Sequence, residues 1–314
     1  MKAIRKNKLL IFCVMLFLGQ LSAQVSRPEK DIEEFERIGK VKEPYELGQD
    51  SKAKKDVPKG TLETYVWESE KIYPGTTRDY WVYVPQQYDS SKPACLAIFQ
   101  DGDVYLDYSN WSKGIAPTTV FDNLIYQEEI PVTIAVFLKP GDKGPGAPYA
   151  GGMGNRSFEY DSVTDLYARF LLEEIIPELK KKYNITDNPK GRILVGFSSG
   201  AICAFNAAWH RPDEFGNVIS HCGSYTDIRG GHIYPPLVRR TPKKPIRVFL
   251  QSGKEDFNSI WGNWPLANQA IASALEYAEY DFRFEFGEGT HSLNHGGQVF
   301  PETLRWIWRD YAKQ

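Results

Sequence analysis

Arg192-Ile193-Leu194-Val195-Gly196-Phe197-Ser198-Ser199-Gly200-Ala201-Ile202-Cys203-Ala204 is the stretch whose reading sets the fold. An apolar, partly β-branched run stops at Gly196, and small residues able to form a helix begin after Gly200. Between them, Gly196-Phe197-Ser198-Ser199-Gly200 fits the G-x-S-x-G pattern of a serine on a sharp strand-to-helix bend. The glycines have a steric reason, because side chains on either flank would crowd such a bend. The strand end presents the central hydroxyl, while the helix N-terminus directs free N–H groups toward developing negative charge. Ser198 is therefore the candidate nucleophile. Ser199 is its rival by composition, but the central position favours Ser198 and leaves Ser199 to offer a backbone N–H.

Outward from this bend, strands alternate with helices. Thr61–Trp67 and Asp79–Val84 read as strands, the second stopped by Pro85, with a Tyr73-Pro74-Gly75 turn between them. Leu96–Phe99, Val132–Leu138, Arg192–Val195, Val218–Cys222, Ile246–Leu250 and Phe282–Phe286 are further short apolar runs. Helical patterns are expected at Val120–Glu128, Ser162–Lys182, Gly200–Trp209, Leu266–Tyr277 and Glu302–Tyr311, with a glycine-rich loop at Pro140–Gly154. Fully apolar strands alternating with helices predict an α/β fold. Its central sheet is mostly parallel and covered by helices on both faces, with the two early strands forming an antiparallel edge.

The ends of the chain have a different character. Lys2, Arg5 and Lys8 precede an apolar run, Leu9–Leu18, and Leu21-Ser22-Ala23 supplies small residues before Gln24. That is the pattern of a secretory signal over residues 1–23, too short to span ~30 Å of hydrocarbon comfortably. The expectation is a secreted or periplasmic protein with no membrane association once the signal is cut. Residues 24–59 interleave Glu, Lys and Asp with few apolar positions and read as a linker or loosely docked arm before a domain at 60–314. Besides Cys13, inside the signal run, Cys95, Cys203 and Cys222 are odd in number and widely spaced. They read as small buried hydrophobes, with neither a disulfide framework nor a zinc pattern. A formal net charge of −2 gives no general attraction to nucleic acid.

The remaining groups of an acyl-transfer site are sought in the order serine, acid, histidine. The strand Arg247–Leu250 runs into Gln251-Ser252-Gly253-Lys254-Glu255-Asp256, which makes Asp256 the candidate acid and Glu255 the alternative. Of five histidines, His210, His221 and His232 precede this acid. His291 and His295 follow the last strand. His291, after Gly289-Thr290, is preferred as general base, and His295 reads as a structural or substrate-side residue. Glycines around the pair argue against a helix holding both as metal ligands. A second oxyanion donor is expected from the loop Gln100-Asp101-Gly102-Asp103, as the backbone N–H of Asp103. Trp261 and Trp264 fall just after the acid and are candidates to stack on a substrate ring.

Arg78–Pro85, Phe99-Gln100-Asp101-Gly102, the Gly196–Gly200 bend and Gly289-Thr290-His291 together resemble one esterase family of the α/β-hydrolase superfamily. It takes in enterochelin esterases, the feruloyl and acetyl-xylan esterases of carbohydrate-esterase family one, and mycolyltransferases. The resemblance runs over about residues 60–313 and implies an α/β-hydrolase fold. It implies Ser198, Asp256 and His291 as triad, with Ser199 and Asp103 as backbone oxyanion donors and no metal or organic cofactor. Two departures stand out. Gln100 occupies a place where many members have Leu, and Gly-Thr-His stands for the usual Gly-Gly-His, which keeps His295 a candidate base. Arg156 and Glu159 also look like a family feature, read here as an ion pair fixing a loop.

The expected function is removal of feruloyl or acetyl groups from plant polysaccharide by an exported serine esterase. A siderophore lactone esterase is the alternative, and a non-catalytic carbohydrate-binding module on the same scaffold is the alternative of another class.

Overall fold

The strands of the main sheet form where the sequence pattern predicts them, and a short two-strand ribbon is added that it does not predict. In the computed structural model, which describes residues 28–107, 115–144 and 155–311, they are β1 Thr61–Ser69, β2 Thr76–Val84, β3 Cys95–Gln100, β4 Thr133–Leu138, β5 Arg192–Phe197, β6 Asn217–His221, β7 Arg247–Gly253, a two-strand ribbon β8 Asn258–Ser259 and β9 Gly262–Asn263, and β10 Asp281–Gly287. The proposed signal segment with Cys13 and positions 145–154 of the glycine-rich loop lie outside the described residues.

The main sheet has eight strands in the order β1-β2-β4-β3-β5-β6-β7-β10. β1 pairs antiparallel with β2, and β2 antiparallel with β4. All remaining pairs are parallel. This is the α/β-hydrolase arrangement, a mostly parallel sheet with an antiparallel edge.

The strand period of two explains why the central runs are wholly apolar. Leu96, Ile98, Leu194, Val218, Val248 and Leu250 enter one core. Phe170, Ile175 and Leu179 of the helical run 166–180 share this core with Ile202 and Phe205, and with Ile271 and Leu275. Ala97, Phe99, Ile193, Val195, Ile219 and Phe249 enter the other core, against Val120, Phe121 and Leu124 of the helix Pro117–Tyr126 and Phe300, Leu304 and Ile307 of the helix Asn294–Trp308. Each fully buried Leu, Ile or Phe stabilises by roughly 1.5–3 kcal/mol. Cys95, Cys203 and Cys222 are buried free thiols within these layers.

Three expectations change. The run 166–180 is shorter than Ser162–Lys182 and passes through a π segment at Leu171–Ile175. The last helix begins at Asn294 rather than Glu302. Gly296 and Gly297 suggest a loop by composition, yet they sit inside this helix to permit close packing. A Cβ on Gly296 would lie 2.8 Å from the His221 ring, and one on Gly297 would lie 2.9 Å from Ile115. Finally, the charged arm is docked. Pro28–Lys40 is a helix, and its side chains and those that follow bind the loops at 255–260 and 288–294. Local composition reads such charges as solvated, whereas here they meet specific partners remote in sequence.

Candidate active site

The bend after β5 carries Ser198 at φ 58° and ψ −122°, a backbone conformation unfavourable for a residue with a Cβ. Ser198 is held there by its N–H, which donates to the His221 carbonyl at 2.9 Å, and by its carbonyl, which accepts from Ser224 N at 3.2 Å. The flanking glycines are dictated by contact. A Cβ on Gly196 would lie 2.0 Å from the Gly200 carbonyl oxygen, and one on Gly200 would lie 2.9 Å from Asp101 Oδ2.

Ser198 Oγ lies 2.8 Å from His291 Nε2, and His291 Nδ1 lies 2.6 Å from Asp256 Oδ1. In the tautomer that fits an ionised carboxylate, Nδ1–H donates to Asp256 and Nε2 accepts from the serine hydroxyl. Asp256 also accepts from Phe257 N at 2.7 Å and from Ser252 Oγ at 3.3 Å, which aims its carboxylate from the turn after β7. The imidazole is enclosed by Phe197, Phe257 and Trp264, with ring centroids 4.8, 4.4 and 5.9 Å away. A hydroxyl, an imidazole and a buried carboxylate in this order form a unit in which the ring can take the hydroxyl proton and the carboxylate can steady the resulting cation.

The alternatives occupy different places. Ser199 is buried with its hydroxyl directed to Asp161. Glu255 turns away and accepts from Arg37 Nη1 at 2.7 Å. His295, considered as a base and as a substrate-side residue, is only 6% exposed; its Nδ1 lies 3.2 Å from Gln251 Nε2 and its ring stacks on Tyr45 at 4.1 Å. Of the two expected roles, structural or substrate-side, these contacts are those of a structural residue. The two tryptophans also separate. Trp264 is buried, and its Nε1–H donates to Ser224 Oγ at 3.2 Å, while Trp261 is exposed at the ribbon β8–β9.

Ser199 is the first residue of the helix Ser199–His210, and Asp103 is the second of the one-turn helix Gly102–Tyr105. Both N–H groups thus precede their intrahelical ladders. Asp101 caps the latter turn at φ 57° and is gripped by Arg156, whose Nε and Nη2 reach its two oxygens at 2.8 and 2.7 Å. Burial alone would lower the Arg156 guanidinium, but the Asp101 charge more than offsets it and raises it. Arg156 and Glu159 do not pair with each other. Glu159 instead binds Arg78 of β2 at 2.7 and 3.0 Å, both side chains wholly buried. Consecutive turns of a short helix point these two side chains to different neighbours, so one expected ion pair becomes two. Burial also raises the carboxyls of Asp103 and Asp161 above the usual range.

Sequence reading missed Ser224. Its Oγ lies 3.3 Å from Ser198 Oγ, but it sits in a loop after β6 that carries no motif.

A family model described as "Putative esterase" matches residues 72–307. Over 240 residues the chain is 23% identical to an iron(III) enterobactin esterase of Escherichia coli, covering 74% of this chain and 54% of that protein. An uncharacterized Bacillus subtilis protein, YbbA, is 22% identical over 184 residues, which are 57% of this chain and 69% of that one. The chain spans about half the length of the enterobactin esterases it matches. Among solved structures, the Shigella flexneri enterobactin esterase determined in the presence of enterobactin has a TM-score of 0.65 at 19% identity, covering 85% of this chain and 62% of that one. A CE1 ferulic acid esterase from Anaeromyces mucronatus, in complex with ferulic acid, has a TM-score of 0.64 at 17% identity, covering 85% of this chain and 97% of that one. These likenesses share the fold, and the family match runs from just before β2 almost to the end of the last helix. The chain belongs to this esterase family, with its α/β-hydrolase fold.

Proposed function

We propose that this chain hydrolyses carboxylic esters with Ser198 as nucleophile, His291 as general base and Asp256 as the carboxylate that orients it. The observation that carries the reading is the unbroken chain of 2.8 and 2.6 Å contacts from hydroxyl to imidazole to carboxylate. His291 Nε2 takes the Ser198 proton as Oγ attacks the ester carbonyl, forming a tetrahedral oxyanion. The N–H groups of Ser199 and Asp103 receive that oxyanion, each worth about 3 kcal/mol of transition-state stabilisation. The imidazolium returns its proton to the departing alcohol. Water, deprotonated by the same ring, then attacks the acyl-serine and frees the acid.

For substrate, a feruloyl or acetyl ester of plant polysaccharide is favoured by Trp261. This exposed ring borders an open groove with Tyr225, Asp227 and His232, a few residues beyond Ser224, where a sugar or aryl group could stack. A siderophore lactone is the second reading, supported by the enterobactin esterases among the relatives. The basic and apolar pattern of residues 1–23 supports export. Among the described residues, no helix is long and apolar enough to cross a membrane.

Ser198→Ala is expected to lower kcat on p-nitrophenyl acetate by about 10⁴-fold or more with folding intact. His291→Ala should do nearly the same and His295→Ala far less. Unchanged turnover in Ser198→Ala would remove the assignment. Methyl ferulate, acetylated xylan and enterobactin assayed in parallel choose the substrate, and activity on the last alone would overturn the polysaccharide reading.

A further inference from the structure

His291 hangs from a loop with no regular structure, and Asp256 from a turn. Loops of this kind hold a side chain to catalytic tolerance only when other groups lock them. Here the locking groups come from the arm that precedes the matched family region. Glu43 Oε1 accepts from Thr290 Oγ1 at 2.7 Å, Ser292 Oγ at 2.7 Å and Asn294 Nδ2 at 3.2 Å. These three donors bracket His291 on both sides, and hydrogen bonds to an ionised acceptor are the strong ones. Earlier on the same arm, Arg37 donates to the Glu255 carboxylate at 2.7 Å and to the carbonyls of Glu255 and Asp256 at 2.9 and 3.3 Å. Phe35 packs edge-on against Phe257 at 4.7 Å, and Phe257 in turn flanks the His291 ring. Neither hydrophobic core includes a residue of the arm. From Asp31 to Glu43 its contacts fall on the two loops that meet at the His291–Asp256 bond, whereas Tyr45 stacks on His295, and the stretch from Glu46 to Lys52 binds Gln298, Asn123 and Arg305 of the neighbouring helices.

We propose that the arm is a strap that registers base against acid, with Glu43 as a positioning residue for His291 and Arg37 as its counterpart for Asp256. The inference rests on the triad reading above. It assigns Glu43 no contact with substrate; its action passes through the loop.

The test uses the full chain. Glu43→Ala is expected to lower kcat on p-nitrophenyl acetate by about 10- to 100-fold, the scale of a small misplacement of a reacting group, with KM within about threefold. Glu43→Gln, which keeps an acceptor oxygen, should recover kcat to within about threefold of the parent. A structural role alone would not move the low-field proton resonance of His291 Nδ1–H, which should broaden in Glu43→Ala and sharpen again in Glu43→Gln. Should Glu43→Ala not fold, Thr290→Val with Ser292→Ala removes two of the same bonds from the loop side and should give the same fall. A parent-like kcat and a sharp resonance in these variants would overturn the strap. Ser198→Ala separates the two ideas. Retained turnover there would sink the triad reading, while the resonance comparison would still decide the strap.

Discussion

At the scale of single residues, the site concentrates strain and burial on a few atoms. Ser198 keeps a positive φ because the Gly196 and Gly200 backbones meet beneath it and leave the chain no other course. Glycine would adopt that conformation without a Cβ penalty. Ser198→Gly should therefore be more stable than Ser198→Ala by about 1 kcal/mol in urea unfolding, although both remove the proposed nucleophile. Equal midpoints would mean that the bend stores no strain. Ser198 was legible in the sequence because an unusual bend demands unusual residues at fixed spacing. Ser224 and Phe257 were not, because what recommends them is only their distance from Ser198 and His291.

At the scale of elements, two buried ion pairs knit the helix Arg156–Tyr160 to the sheet: Arg156 to the turn after β3, and Glu159 to Arg78 on β2. Removing one partner of such a pair leaves an uncompensated charge in a poor solvent, at a cost of about 3–5 kcal/mol. Arg156→Met is expected to destabilise by about that much and to lower kcat, since Asp101 caps the turn that offers the Asp103 N–H. Arg156→Met combined with Asp101→Asn should regain most of the stability. Failure of the double variant to regain any would show that the pair's charges are not what matters. The sequence reading takes Arg156 and Glu159, a feature the family resemblance picks out, as an ion pair fixing a loop. Their true partners, 55 and 81 positions away, are set by how the turn packs.

Across the whole molecule, the sheet buries ionisable groups whose protonation is linked to folding. His221 ends β6 beneath the serine bend, fully buried, and burial pushes its imidazole down to about 3 from an ordinary value of 6.5. The unfolded chain binds this proton more readily than the native one, so stability is full above pH 6.5 and is lost as pH falls toward 3. Between pH 7 and pH 4.5 the loss attributable to His221 is about 2–3 kcal/mol. Burial raises the Asp103 and Asp161 carboxyls, and these act in the opposite sense. The measurement is accordingly a difference: urea-derived stability of the parent should fall more steeply with acid than that of His221→Gln by this amount. Parallel slopes would show that His221 titrates normally in the fold.

The order of elements, the parallel sheet with its antiparallel edge and the three residues now joined from Ser198 to Asp256 were written in local pattern. Strand period, glycine placement and chain order are properties of neighbours along the chain. The contact of Glu255 with Arg37, the stacking of His295 on Tyr45, the exchange of ion-pair partners and the docking of the arm were decided only by tertiary structure. Each depends on which side chains meet across tens or hundreds of residues, and a charge that looks solvated in its local stretch can find its partner only when the chain has folded.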